Sequence, residues 1–316
     1  MYTRLLLLAA LCLLAPRLFS QDATDEATEI FFDSLDLTQE QISNFGIFLH
    51  LDSIEQTLNF IKDTTVSLGD GMVDLTVPPG YRLLMPDDAR TVLVDLWGNP
   101  PENAEGTLAM LFPDSTSLAN GEGFGVDIYF SEDGYVNDED AADIDYDELL
   151  ETMREDVAAG NEYRREQGYE TMEFLGWAAK PRYDAVNKRL HWAKRLRFET
   201  EEEETLNYNI LFLGRRGYLT MNVIGNVTDL PEIDASLDDF LGSASFNAGH
   251  AYADFDPDID EVAAYGIGAL VAGKVLAKSG LLAGLGIFLA KAWKLIAVGF
   301  IAVAGGLKKL LGRGDA

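Results

Sequence analysis

Apolar and polar residues alternate in short blocks through the middle of this 316-residue chain. Four such blocks follow one another in its second half, and short turns rich in Gly, Pro, Asn and Glu separate them. The blocks are Met172–Trp177, Leu190–Phe198, Leu206–Leu213 and Tyr218–Ile224. Because short turns join antiparallel neighbours, this pattern predicts a meander of antiparallel strands.

The same alternation occurs earlier in the chain. Thr65–Leu68 and Met72–Val77 flank the turn sequence Gly69-Asp70-Gly71 and predict a β-hairpin. Leu108–Phe112 and Gly123–Phe130 predict two further strands.

Helical spacing of apolar residues occurs in three places. In Asp143–Arg165 the apolar positions repeat at helical intervals, with acids at the start and arginines in the last turn, as the helix dipole favours. Asp87–Leu96 predicts a shorter helix, and the spacing of Ile54, Leu58 and Ile61 predicts another. Helices inserted among antiparallel strands predict an α+β fold, in which two or more helices flank an antiparallel sheet.

The two ends of the chain differ from this middle part. Residues 1–20 have the charged start, apolar centre and small-residue end of a secretory signal peptide. Residues 262–316 are rich in Gly, Ala, Leu, Ile and Val, and they predict a membrane-anchoring tail. The preferred span is a transmembrane helix from Leu281 through Ala290 and Leu295 to Leu307, and a hairpin with Ala263–Ala277 as its first leg is the alternative.

Charge divides the chain in the same way. Residues 21–261 contain 15 Lys and Arg and 52 Asp and Glu, whereas residues 262–316 contain seven bases and one acid. A domain this acidic repels phosphate backbones, so nucleic acid is excluded as a partner. The expected division is a signal peptide (1–20), a lead-in (21–63), an acidic α+β domain (64–253), an acidic linker (254–261) and the tail (262–316).

Candidate chemistry is sparse in this sequence. No catalytic motif is found, and no cysteine follows the predicted signal peptide. The runs of acids at 138–147 and 254–260 fail the spacing of a calcium loop, so we expect no resident cofactor and at most weak divalent-cation binding. Two arginines in the turn Arg215-Arg216, with Arg182 nearby in sequence, could bind an anionic ligand, or they could pair with surrounding carboxylates.

Several motifs in order resemble a known family. They are Pro79-Gly80-Tyr81, Leu96-Trp97-Gly98-Asn99-Pro100, Asp133-Gly134-Tyr135, Pro181-Arg182-Tyr183-Asp184, Asn207-Tyr208-Asn209 and Leu213-Gly214-Arg215-Arg216-Gly217. From about Thr65 to the C-terminus the chain is similar to DUF2167, a family of uncharacterised bacterial membrane-anchored proteins. The resemblance implies placement and topology and brings no activity.

These observations favour an exported protein of the bacterial inner membrane, with its acidic domain on the periplasmic or extracytoplasmic side. We expect a role in binding or assembly in the cell envelope, with membrane lipid, an unidentified envelope protein and other copies of the Gly-rich tail as partners. Two alternatives stay open. They are an envelope hydrolase that uses a carboxylate pair, and an oligomeric membrane-active protein.

Overall fold

The computed structural model describes residues 49–273 apart from 98, 100, 119–122, 167–169 and 200–202. The described part is α+β, with antiparallel sheets and several helices, as the sequence predicts. The strands are β1 (Thr65–Leu68), β2 (Val73–Thr76), β3 (Tyr81–Leu84), β4 (Thr107–Pro113), β5 (Gly125–Ser131), β6 (Tyr135–Asn137), β7 (Met172–Asp184), β8 (Arg189–Phe198), β9 (Thr205–Gly214), β10 (Gly217–Asn226), β11 (Ala244–Phe246) and β12 (Val262–Gly266). The helices are α1 (Pro86–Thr91), α2 (Tyr146–Glu166), α3 (Leu230–Ser243) and α4 (Ile267–Ala272).

A seven-stranded antiparallel sheet forms the centre of the domain, in the order β3-β4-β5-β10-β9-β8-β7. The meander predicted from the sequence supplies four adjacent strands, β7 to β10, and each pairs with the next through a hairpin. Gly217 closes the last hairpin with φ +151°, and a side chain there would collide with the carbonyl oxygen of Ser131 on β5. Glycine therefore allows β10 to pair on both of its edges.

One face of this sheet is apolar and is covered by α3 and by the small antiparallel sheet β1-β2-β11. We call it the apolar face. Its buried side chains come from alternate positions of the central strands, as a pleated sheet requires. They include Val126, Ile128, Leu206, Tyr208, Ile210, Leu219, Met221 and Val223. From the covering layer, Phe240 of α3 packs edge-on against Tyr81 at 5.0 Å between ring centroids.

The opposite face is covered by other elements. Helix α2 packs Met153 against Phe174 and Leu196 near the β7 edge, and α4 packs Ile267 and Val271 in a cluster with Trp192. Asp145 begins α2, because its carboxylate accepts the backbone N–H groups of residues 147 and 148. We call this side the helix-covered face.

The structure confirms most of the predicted strands and helices, although their first and last residues differ from the predicted ones. The predicted hairpin is β1–β2, and the predicted helix of residues 87–96 is α1 followed by a π-helical turn, Val92–Leu96. The helix predicted from Ile54, Leu58 and Ile61 is wrong in extent, because helical structure ends at residue 55 and Ile61 forms a β-bridge with Leu83. Helix α3 was not predicted, since its four acids obscure the apolar stripe that packs on the sheet.

The first residues of the expected tail belong to the described domain. Val262–Gly266 is β12, which pairs in parallel with β6, and α4 follows it at once. Asp140 accepts the backbone N–H groups of Ile267 and Gly268 at 2.9 and 3.0 Å, which fixes the start of α4. The membrane expectation therefore concerns the chain from residue 274 onward, and Leu281, Ala290, Leu295 and Leu307 lie outside the described residues.

The acidic linker is also structured. Asp254 accepts the backbone N–H groups of Gly249 and Ala251, and Asp256 accepts that of Asp258. These bonds fold the segment into turns beside β9 and β10.

Candidate functional site

Polar side chains are buried along the middle of the helix-covered face. The exposed fraction is 3% for Asp127, 2% for Thr220 and 3% for Asn222, and two more asparagines continue the row on the next strand. We call this group the polar strip. It consists of the buried residues Thr107, Asp127, Thr220, Asn222, Asn209 and Asn207 and the half-buried Lys194. Buried polar groups are expensive, so this row requires an explanation.

Strand register brings the members of the polar strip together. Asp127 on β5 lies opposite Asn222 on β10, which lies opposite Asn209 on β9 and then Trp192 on β8. In the adjacent row, Asn207 on β9 lies opposite Lys194 on β8. Opposite residues of antiparallel strands have Cβ atoms about 5 Å apart, so the side chains can form one continuous network across four strands.

Hydrogen bonds connect part of the polar strip. The amide of Asn209 donates to the side-chain oxygen of Asn207 at 2.8 Å, and the amide of Asn207 donates to the side-chain oxygen of Asn222 at 2.7 Å. At the other end, the hydroxyl of Thr107 donates to the carboxyl of Asp127 at 3.0 Å.

Two buried polar atoms at the polar strip have no hydrogen-bond partner among the described residues. They are the hydroxyl oxygen of Thr220 and Nε1 of Trp192. Tyr129 is the nearest polar partner of the Thr220 hydroxyl: burial raises the pKa of Tyr129, and a weak interaction with Thr220, outside normal hydrogen-bond geometry, opposes the shift. Such an unpaired buried group usually costs about 1–3 kcal/mol, so each marks a place where another polar group could be accommodated.

The electrostatics of the polar strip are those of a dry site. Burial raises the pKa of Asp127 to about 7, although the hydrogen bonds from Thr107 and from the backbone of Ile128 lower it. Burial also lowers the pKa of Lys194 to about 8, and its Nζ lies 6.0 Å from the centroid of the Trp192 ring. No described carboxylate forms an ion pair with Lys194. Both groups can change protonation near neutral pH.

The polar strip can therefore offer donors and acceptors without a fixed charge. A protonated Asp127 donates a hydrogen bond and an ionised one accepts it, while the amides do both. This combination suits the binding of a polar group in a water-poor setting. A single raised pKa does not define catalysis, because no second described carboxylate is hydrogen-bonded to Asp127.

The predicted anion-binding arginines lie in two different places. Arg215 and Arg216 both bind the carboxylate of Asp260, with Nε–O distances of 2.6 and 3.4 Å. Arg182 lies on the edge strand β7, directly opposite His191 on β8. The structure thus brings Arg215 and Arg216 together around an acid of the 254–261 segment and leaves Arg182 apart from them.

The acids of the 138–147 run have separate structural partners. Asp138 accepts hydrogen bonds from the hydroxyls of Tyr183 and Tyr252 and from Nζ of Lys188. Burial opposes ionisation of Asp138, but these three donors outweigh it and hold the pKa of that carboxyl below its usual range. Within the described ranges, no three His, Cys, Asp or Glu side chains are close enough to hold a metal ion.

None of the helices in the described part of the chain is long and apolar enough to cross a bilayer.

Sequence reasoning missed the polar strip. Asn207 and Asn209 alternate with apolar residues, which is typical of a strand with one wet face, and Asn222 and Asp127 do the same. The long helix and the hairpin that the sequence predicts could cover both faces of the meander. That was the available signal that these polar positions are buried.

The chain matches the family described as a protein of unknown function, DUF2167, over residues 61–303. The chain therefore belongs to this family, as the motifs indicate. A comparison with curated proteins gave no match.

Two solved structures are similar to part of the chain. The solution structure of cyanobacterial PsbP (CyanoP) from Synechocystis sp. PCC 6803 is 9% identical, covers 58% of this chain and 92% of its own, and gives a TM-score of 0.34. The crystal structure of the Saccharomyces cerevisiae Ran-binding protein Mog1p is 11% identical, covers 58% of this chain and 84% of its own, and gives a TM-score of 0.25. Scores this low carry no argument about fold or function.

Proposed function

We propose that this protein is an exported, membrane-anchored binding protein of the bacterial envelope. Its acidic domain lies outside the cytoplasm at the inner membrane and binds a ligand or an envelope protein, with no resident cofactor. The observation that carries the binding role is the polar strip, where polar groups are buried and two nearby polar atoms lack a described hydrogen-bond partner. Natural proteins depart from such rules of packing at functional sites, which makes the polar strip a candidate for one.

The anchoring role is supported by the way the domain ends. Helix α4 packs on the sheet through Ile267, Leu270 and Val271, and it ends at Gly273, whose backbone is in the left-handed conformation. The chain after Gly273 carries seven bases and one acid among mostly apolar residues, and Lys308, Lys309 and Arg313 favour a cytoplasmic C-terminus. A tail that follows such a packed element would keep the domain close to the bilayer, where lipid contact and self-association through the Gly-rich segment can occur.

Protease protection tests the proposed location. The full-length protein with a C-terminal epitope is produced in a bacterium, and protease is added to intact spheroplasts. We expect the domain to be degraded while a small epitope-bearing fragment is protected. A full-length protein that sediments with no membrane, or a domain that survives in spheroplasts and is cleaved only after lysis, would contradict the proposal.

Native mass spectrometry of the membrane-extracted protein tests the binding role. We expect a bound species on the wild type that is lost in Thr220→Val, whose fold is kept. Val186→Ala serves as the control, because Val186 is 88% exposed and far from the polar strip. Equal binding by wild type and Thr220→Val would refute the role of the polar strip.

The two alternative functions would give different results. Turnover of a glycan or peptide that disappears in Asp127→Asn would identify a hydrolase. Leakage of vesicles that needs only the tail would identify a membrane-active protein. Either outcome would replace the binding proposal.

A further inference from the structure

Basic side chains lie together at the edge of the apolar face. Arg182 on β7 is directly opposite His191 on β8, and Arg189 precedes His191 by two residues on the same strand. Residues two apart in a strand point to the same side, so all three share one face. The hydroxyl of Tyr208, from the next strand, lies 3.0 Å from Nδ1 of His191. We call Arg182, Arg189, His191 and Tyr208 the edge cluster.

The edge cluster differs from most of the other basic groups of the domain in its lack of ion pairs with acids. Neither Arg182 nor Arg189 forms an ion pair with any described carboxylate, although residues 21–261 contain 52 acids. Nine other basic residues do form such pairs, namely Lys62, Arg82, Arg154, Lys180, Lys188, Arg195, Arg197, Arg215 and Arg216. Two arginines without ion pairs, diagonal neighbours across β7 and β8, form a local positive site on an acidic surface.

Packing and hydrogen bonding position the edge cluster. The guanidinium carbon of Arg189 lies 5.5 Å from the centroid of the Phe212 ring, in cation–π contact. The rings of His191 and Tyr208 are nearly parallel, with 6° between their planes. Burial raises the pKa of Tyr208 to about 12, so the phenol keeps its proton and can donate it to Nδ1. When the phenol donates to Nδ1, the imidazole proton lies on Nε2, which is then available as a donor.

Two carboxylates flank the edge cluster. Asp184 lies opposite Arg189, and its oxygens accept the side-chain amide and backbone N–H of Asn187 and the backbone N–H of Val186. These bonds, and then the charge of Arg189, lower the pKa of that carboxyl, although the two side chains form no ion pair. The negative charge of Asp234 on α3 raises the pKa of both His191 and Tyr208. Burial lowers the pKa of His191, Arg182 lowers it further, and Asp234 opposes the shift. His191 is therefore neutral at pH 7.

We propose that the edge cluster binds a phosphate group, carried by free phosphate, by a small phosphate monoester or by a lipid headgroup. Two guanidinium groups and an imidazole N–H lie on one face of two neighbouring strands, and donors of this kind suit a tetrahedral oxyanion. Arg215 and Arg216 differ in this respect, because both already pair with the carboxylate of Asp260. This site is separate from the polar strip, which lies on the other face of the sheet.

Histidine-ring NMR of the full-length protein in an uncharged maltoside detergent tests this site. Sulfate is the first probe, because it keeps the same charge between pH 5 and 8, and His191→Gln assigns the resonance. A bound dianion favours the imidazolium, so we expect saturating sulfate to raise the pKa of His191 by about one unit. Arg182→Gln should abolish the rise, whereas the matched control Arg216→Gln should keep it.

Competition then identifies the source of the phosphate. Inorganic phosphate and a short-chain phosphatidic acid below its micelle concentration are each titrated against sulfate, and the better competitor identifies a soluble or a lipid ligand. A His191 resonance that responds to none of the three anions would overturn the proposal. A response that Arg216→Gln reduces as much as Arg182→Gln would overturn it as well. Failure here would leave the polar strip and the binding role untouched.

Discussion

The two faces of the seven-stranded sheet come from the same strands but are built differently. On the apolar face, Leu206, Ile210 and Val223 are packed under α3 and the small sheet. On the helix-covered face, the neighbouring positions are Asn207, Asn209 and Asn222, buried to a similar degree. On the apolar face, burial of apolar surface stabilises the fold. In the polar strip, the hydrogen bonds mainly offset the cost of removing polar groups from water. The apolar face therefore accounts for most of the stability of the fold, and the polar strip is where we propose that a ligand binds.

The largest effect expected from this comparison is on the apolar face. Phe240→Ala removes a fully buried ring that packs on Tyr81, and it should lower the free energy of unfolding by about 3–5 kcal/mol. Urea unfolding of the full-length protein, followed by tryptophan fluorescence, measures the loss. Val186→Ala is the matched control and should change nothing. A loss below about 1 kcal/mol would mean that α3 is not part of the core.

Asp127 should make the polar strip sensitive to pH. Its pKa in the folded protein is about 7, above the usual value of about 3.9 in an unfolded chain. The folded state therefore binds the proton more tightly, and the free energy of unfolding should fall as the pH rises from about 4 to about 7. Asp127→Asn removes this loss, so it should be more stable than wild type at pH 8 by about 2–4 kcal/mol.

Urea unfolding of both proteins at several pH values measures this difference. The two stability curves should approach each other toward pH 4 and separate by pH 8. If Asp127→Asn were less stable at pH 8, the carboxylate would be a stabilising group and the comparison between the faces would fail.

The hydrogen bond between two asparagines of the polar strip allows its contribution to stability to be measured directly. A double-mutant cycle with Asn207→Ala and Asn222→Ala isolates their 2.7 Å bond, and we expect a coupling energy of about 1 kcal/mol. The same cycle with Ile210→Ala and Val223→Ala serves as a reference on the apolar face. A coupling near zero between the asparagines would indicate that the polar strip is not a connected network.

Much of this architecture could be predicted from alternation alone. The four-strand meander, the β1–β2 hairpin and α2 are present because their apolar positions match the period of a strand or a helix. Helix α3 was missed because Glu232, Asp234, Asp238 and Asp239 dominate its sequence. Strand β12 and helix α4 were hidden inside a segment whose composition resembles that of a membrane tail.

The candidate sites were harder to predict for a physical reason. Asn209 looks like a solvent-facing residue in its own strand, and only the pairing with β10 and β8 shows that it lies in a buried row. Likewise, Arg182 was grouped with Arg215 and Arg216 by sequence distance. Strand register instead places it beside His191. Non-local pairing determines both sites, and a single sequence does not reveal it.

A pair of identical substitutions on the helix-covered face tests the central claim most directly. Thr220→Val removes a buried hydroxyl that lacks a described partner, while Thr107→Val removes one that donates to Asp127. If the polar strip is kept for binding at the expense of stability, Thr220→Val should raise the free energy of unfolding by about 1 kcal/mol, and Thr107→Val should lower it by about the same amount. A destabilised Thr220→Val would contradict the account, because the hydroxyl would then be part of what holds the fold together.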